Sequence, residues 1–174
     1  MRPGIALQPL GQLNVAFLPR LALDLAAVFS EPCRLLVAKP LPRQALDLRR
    51  EQYVATLLLD FLRRTRSVGP GRVLAIAEVD LYADGLNFVF GQAEMPGRVA
   101  VISLHRLLPG SAADAEILYR RTLVEAVHEL GHTYGLAHCL QPRCVMRFSN
   151  SLADTDLKSA TFCPDCRTGL ARAW

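Results

Sequence analysis

His128–Met146 reads HELGHTYGLAHCLQPRCVM. Three of the chain's four histidines fall within these nineteen residues, with Glu129, two cysteines and a methionine. His128 and His132 are four apart. On a helix both imidazoles leave the same face, about 6 Å apart along the axis, and can converge on one metal ion. Glu129 lies about 100° round the same helix. It can reach a water at the metal without being a ligand, which is where a general base belongs. A continuing helix would carry His138 about 240° away from His132 and off the ion. Gly135 stands between them, and a glycine at a helix end can adopt the left-handed conformation and turn the chain back. Three protein ligands leave a fourth position for water, the catalytic rather than the structural arrangement of zinc.

The same stretch opens a second pattern. Cys139-x4-Cys144 and Cys163-x2-Cys166 form two short-spaced pairs separated by eighteen residues. This is the layout of a four-thiolate structural zinc site, and two disulfides or unrelated buried thiols are the alternatives. Cys33 is left over and is expected to be a core thiol. His138 and Cys139 are bonded neighbours, so in extended chain their side chains point opposite ways. One would face a catalytic ion and the other a structural ion, which would pin the third histidine in place.

Working outward, SAADAEILYRRTLVEAVHELGH predicts the helix that carries the first two histidines, with Ser111 as N-cap and Asp114 and Glu116 favoured by the helix dipole. GIALQPLG predicts a strand. LNVAFLPRLALDLAAVFS predicts a helix with a proline near its first turn, and CRLLVAKPLP a second strand ended by prolines. QALDLRREQYVATLLLDFLRRTR shows a helical apolar stripe that SVGPG breaks. RVLAIAEVDLY is a near-continuous apolar run, as in a buried strand, and LNFVFGQ and RVAVISLHR can pair as a hairpin. Alternating strands and helices imply a mostly parallel, helix-covered sheet. Beyond Gly135 the chain turns irregular and Cys-rich. Gly69-Pro-Gly71 is no dinucleotide fingerprint, since the third glycine is missing.

The whole chain suits a single domain. Its 174 residues can bury about 70 % of their unfolded surface. The hydrophobic fraction of 51 % and charged fraction of 21 % are those of a globular protein. The net charge of +4 is scattered apart from Arg63-Arg64-Thr65-Arg66, which reads as a solvated helix end rather than a nucleic-acid patch. No run is long and apolar enough for a membrane span. VAFLPRLALDLAAVFS is interrupted by Pro19, Arg20 and Asp24, a poor signal-peptide core, and no Asn-x-Ser/Thr sequon occurs. A cytoplasmic protein is expected, in a reducing compartment that favours thiolate–metal sites over disulfides.

HExxHxxGxxH resembles the metzincin metalloproteases. Followed at once by Cys-x4-Cys-x-Met and later by Cys-x-x-Cys, it closely resembles one family, the archaemetzincins. The match covers His128 to Cys166, a quarter of the chain. Sixteen residues separate Met146 from Cys163 where the family pattern has seventeen, so one loop is expected to be a residue shorter. The resemblance implies two zinc ions. His128, His132 and His138 would bind the catalytic one, with Glu129 as base and acid. Cys139, Cys144, Cys163 and Cys166 would bind the structural one, and Met146 would be the Met-turn residue, an apolar floor beneath the metal. Phe148 stands where some metzincins carry a zinc-ligating tyrosine, so no further protein ligand is expected there. Leu86–Gln92 is the candidate edge strand for binding extended peptide by strand addition.

The fold expected is α/β: a compact metzincin-like domain over residues 1–174, with a mixed, mostly parallel sheet, an antiparallel edge strand and the active-site helix in 1–134. Residues 135–174 would form the zinc-binding segment. Arg121 and Glu125 continue the metal-bearing helix face. They are expected to form an i,i+4 ion pair, with orientation of a ligand or substrate amine by Glu125 as the sharper alternative. His105 is expected to be exposed. The function expected is hydrolysis of peptide bonds in a peptide or protein, by a protein acting as a monomer with neither nucleic acid nor membrane as partner. The alternative is a zinc-stabilised peptide-binding protein with little or no turnover, against which the intact Glu129 argues.

Overall fold

Six residues from Ile5 to Leu10 are all buried, and successive side chains of this strand feed two separate cores. The structure is a computed structural model that describes residues 4–13, 15–66, 69, 71–108 and 114–173. In chain order its elements are β1 (Ile5–Leu10), α1 (Leu18–Phe29), β2 (Cys33–Leu35), β3 (Leu46–Asp47), β4 (Gln52–Val54), α2 (Ala55–Thr65), β5 (Arg72–Ala77), β6 (Leu81–Tyr82), β7 (Gly91–Ala93), β8 (Val99–Ser103), α3 (Ala115–Thr133), α4 (Leu152–Leu157) and α5 (Pro164–Arg172).

The main sheet has the order β2-β1-β5-β8-β7. Its first four strands run parallel and β7 closes the edge antiparallel to β8, with Gly91 opposite Ile102 and Ala93 opposite Ala100. Both faces are covered, which is why β1, β5 and β8 read as continuous apolar runs. Ile5, Leu7, Leu74, Ile76 and Ile102 pack on α1 (Leu21, Leu25, Phe29) and α3 (Val127, Leu130). Ala6, Val73, Ala75, Val99 and Val101 pack with Leu58 and Leu62 of α2. This is the mixed α/β architecture expected.

Three expectations change. The run from Gln44 to Arg66 is helical only from Ala55. Its first half is a short 3-10 turn, Arg43–Ala45, and a hairpin pairing β3 with β4. Asp47 causes this, because its Oδ1 accepts from the backbone N–H of Arg49 at 2.9 Å and of Arg50 at 3.3 Å, and Glu51 then takes a positive φ of 54°. Short polar side chains that capture backbone donors favour turns over helix. The run from Arg72 to Tyr82 is likewise two strands, with β6 leaving the main sheet to pair with β4. In Leu86–Gln92 only Gly91 and Gln92 belong to a strand. The backbone before them is held otherwise: Arg50 donates to the carbonyls of Leu86 and Asn87, Gln52 donates to that of Asn87, and Arg106 lies over the Phe88 ring.

Ser111 lies outside the described residues. The cap of α3 is Asp114, whose side chain accepts from the Ile117 N–H at 3.3 Å. The segment after Gly135 is largely irregular but carries α4 and α5, and Cys163 is the N-cap residue of α5.

Candidate metal centre

α3 is nineteen residues long, and its C-terminal half is almost wholly buried, so its polar side chains face protein or the cleft rather than bulk water. The helix stops where the sequence predicts. The Leu136 N–H reaches the Gly131 carbonyl, the Gly135 N–H reaches the His132 carbonyl at 2.8 Å, and Gly135 has φ of 89°. This is the Schellman arrangement, closed by a glycine in the left-handed region. The reversal brings His138 back, and ligand nitrogens of His128, His132 and His138 lie within 4.8 Å of one another.

The second nitrogen of each helical histidine is engaged on backbone. His128 Nδ1–H donates to the Val145 carbonyl and His132 Nδ1–H to the Leu136 carbonyl, each at 2.7 Å. Those bonds set the tautomer and leave both Nε2 atoms as lone-pair donors, 3.1 Å apart. Two lone pairs facing each other repel unless a cation lies between them. Nitrogens bound tetrahedrally to one zinc at their usual lengths stand about 3.3 Å apart. The donor set therefore fits zinc. Burial holds all three imidazoles below their ordinary pKa, with Lys158 adding to the shift, so they are neutral and ready to ligate.

Glu129 is buried beside this cluster. Its carboxyl is pushed well above the usual range, first by burial and then by Glu125, with Lys158 opposing. Gly91 of the edge strand touches it: a Cβ added there would stand 2.7 Å from Glu129 Cγ and 2.9 Å from Oε1. Met146 is completely buried beneath the helix, and its carbonyl accepts from the Cys139 N–H at 2.9 Å. The Phe148 ring packs on His138 with centroids 4.9 Å apart and offers no ligand.

Cys139, Cys144, Cys163 and Cys166 bring their sulfurs within 4.8 Å of one another, all as free thiols. Cys139 Sγ and Cys163 Sγ are 3.8 Å apart, far beyond a disulfide. That is the spacing of two thiolates at about 2.3 Å from one tetrahedral zinc. Backbone N–H groups of Gln141 and Cys163 point at Cys139 Sγ and Cys144 Sγ, and the backbone N–H of Cys166 holds the Cys163 thiol below its ordinary pKa. Cys33 is half-buried against the main core, and burial lifts its thiol to about 12. His105 is exposed as expected.

The expected Arg121–Glu125 pair does not form. Arg121 makes a two-pronged bond to Asp156 of α4, at 2.8 and 2.7 Å, and donates to the Leu107 carbonyl. A fork matched to a carboxylate outcompetes a neighbour one turn away on its own helix. Glu125 accepts instead from Thr155 at 3.1 Å and from Lys158 at 3.4 Å. Asp156, Thr155 and Lys158 carry no signal in the sequence, because their partners lie some thirty residues earlier in the chain.

The histidines, Glu129, Gly91 and Phe148 line one cleft of about 450 Å³. Neutral imidazoles converging at its floor, a buried carboxyl at their side and an open sheet edge above make this a metallohydrolase of the metzincin class. Comparison with known proteins narrows the class. Residues 23–172 match the model of Peptidase family M54. The chain is 43 % identical over 165 residues to the archaemetzincin of Methanocaldococcus jannaschii, covering 93 % of this chain and 89 % of that one. It is 50 % identical over 132 residues to that of Methanopyrus kandleri, covering 76 % and 73 %. The crystal structure of archaemetzincin from Methanopyrus kandleri superposes with a TM-score of 0.86 at 39 % identity, over 99 % of this chain and 96 % of the other. The structure of archaemetzincin from Archaeoglobus fulgidus gives 0.84 at 38 % identity, over 95 % and 99 %. The chain thus belongs to peptidase family M54, the archaemetzincins, and is a zinc-dependent metallopeptidase. That membership favours turnover over the binding-protein alternative.

Proposed function

We propose that this chain cleaves peptide bonds with His128, His132 and His138 holding the catalytic zinc and Glu129 as the proton carrier. The observation that carries the reading is the pair of Nε2 lone pairs 3.1 Å apart, each fixed by an Nδ1–H bond to backbone, with a buried carboxyl alongside. When bound, zinc supplies Lewis acidity that acidifies water and polarises a carbonyl oxygen.

The chain's own residues supply the rest. Glu129 takes the proton of the attacking water and returns it to the leaving amine. Its burial beside the three histidines places it to carry the proton between the two steps. Gly91 allows the edge strand to lie directly on Glu129, so a peptide added antiparallel to β7 presents its carbonyl beside that carboxyl. Met146 is the Met-turn floor, and its carbonyl anchors the residue next to His138.

In the same reading Cys139, Cys144, Cys163 and Cys166 hold a second, structural zinc, making two ions in all. Residues 1–174 act as one domain, with 135–174 as its zinc-binding segment. The partner is a peptide or protein, and the protein works as a monomer in the cytoplasm without nucleic acid or membrane. Against a nucleic-acid patch, Arg63 of the basic cluster is paired with Asp60 and Glu94 and Arg66 bonds the Gly69 carbonyl; no helix among the described residues is long and apolar enough to cross a membrane.

The decisive experiment is Glu129→Ala. Peptide hydrolysis should disappear while zinc content and circular dichroism stay as in the wild type. Undiminished cleavage by the purified variant refutes the role of Glu129.

A further inference from the structure

Glu125 is only 3 % exposed, yet it lines the cleft. It sits one helical turn before Glu129, about 6 Å along the axis. Both hydrogen bonds to its carboxylate, from Thr155 and Lys158, end on Oε1. Oε2 accepts no hydrogen bond among the described residues. The surrounding wall is mostly apolar, built from Phe90, Phe148 and their neighbours, and no lysine or arginine among the described residues lines the cleft.

Lys158 explains how the carboxylate can be there at all. A buried charge needs a partner, and Lys158, itself fully buried, supplies one. Its ammonium is shared, because it also donates to the Arg147 carbonyl at 3.1 Å, closer than its 3.4 Å to Glu125. The second carboxylate oxygen is left for another donor. An apolar-walled pocket lined by the half-satisfied Glu125 carboxylate, one turn from Glu129 at the histidines, is complementary to a long aliphatic stem ending in a cation.

We propose that Glu125 is a specificity-determining residue, whose Oε2 receives the ammonium or guanidinium of a substrate lysine or arginine side chain next to the scissile bond. The one-turn offset from Glu129 matches the reach of such a side chain from a backbone lying over the histidines. Lys158 bonds Oε1, so the substrate cation and Lys158 would occupy different oxygens of one carboxylate. This inference rests on the peptidase reading above.

The test uses zinc-loaded full-length protein and N-acetylated, C-amidated alanine-rich peptides with one central lysine, arginine or norleucine. Norleucine keeps the aliphatic stem and removes the charge. Equilibrium binding and cleavage are both measured, for wild type and for Glu125→Gln, which keeps shape and the acceptor for Thr155. Lysine and arginine peptides should bind, and be cut beside the basic residue, about tenfold better than norleucine by wild type, as a charge-assisted hydrogen bond implies. Glu125→Gln should abolish that ratio in equilibrium binding and in cleavage alike. Should Glu125→Gln fold poorly with Lys158 unpaired, Glu125→Gln/Lys158→Met removes both charges, and the same loss is expected. Equal lysine and norleucine values in wild type, or an undiminished ratio in the variant, overturn the proposal. So does selective use of peptides with a free N-terminus, which would place an α-ammonium there instead. A binding ratio that follows Glu125 without any hydrolysis sinks the peptidase reading alone.

Discussion

Gly91 is where one atom decides whether the site works. Its missing side chain lets Glu129 lie against the edge strand, with Val101 O closing the other side at 2.8 Å from an added Cβ. Gly91→Ala must move the carboxyl, the strand or both. A displacement near 1 Å at a catalytic group costs about 100-fold. We expect kcat to fall by about tenfold or more with zinc content as in the wild type, read by steady-state kinetics beside metal analysis; wild-type kcat would show that the contact does not constrain Glu129. Gly135 matters differently. Its φ of 89° is open to glycine and resisted by a β-branched residue. Gly135→Val should therefore weaken the catalytic zinc specifically, seen as loss of one ion at a lower chelator concentration than in wild type.

Among elements, the contact between α3 and α4 carries most of what the linear pattern hides. Arg120 and Arg121 hold Asp156, and Glu125 holds Thr155 and Lys158, so the six-residue α4 is fastened along the active-site helix. The bond from Arg121 keeps the Asp156 carboxyl below its ordinary pKa. A depressed carboxylate stabilises the fold above its unfolded pKa, and that contribution is lost as pH falls through the folded value. Asp156→Asn should thus cost about 1 kcal/mol at pH 7, a modest figure because Asp156 is a third exposed. The gap to wild type should begin to narrow as pH falls below about 4. Thermal melts of both proteins from pH 7 to pH 3 measure it; a gap that does not narrow over that range assigns the loss to something other than the charge pair.

On the scale of the whole molecule, the two metal clusters are joined through one peptide bond, between His138 and Cys139. Two of the three histidines stand on a preformed helix, and the third hangs on irregular chain fastened at Cys139. The three-histidine ion should leave first in a chelator titration, with zinc falling from two to one, activity lost and circular dichroism intact. Simultaneous loss with unfolding would contradict this order. Cys163→Ser or Cys166→Ser should remove the other ion and destabilise the C-terminal segment, since structural zinc contributes ~10–16 kcal/mol in small metal-dependent units. Unchanged melting of either variant with one zinc missing would mean that the ion does not hold the segment.

Much of the centre was legible in the linear chain, because its logic is local. Four-residue spacing on one helix aligns His128 with His132, and a glycine at the helix end returns His138. Two close cysteine pairs gather four thiols. The parallel, doubly covered sheet likewise shows in the apolar runs of β1, β5 and β8. Other features depend on partners distant in sequence. The Asp47 turn replaced the front half of an apparent helix with a hairpin. Side chains of Arg50 and Gln52 took backbone carbonyls that a strand ladder would have used. Arg121 preferred the fork geometry of Asp156 to the neighbour its spacing suggested. Spacing along the chain determines which side chains share a face. Only the tertiary structure decides which distant group meets that face, and so Glu129 rests against Gly91 and Glu125 is shared with Lys158.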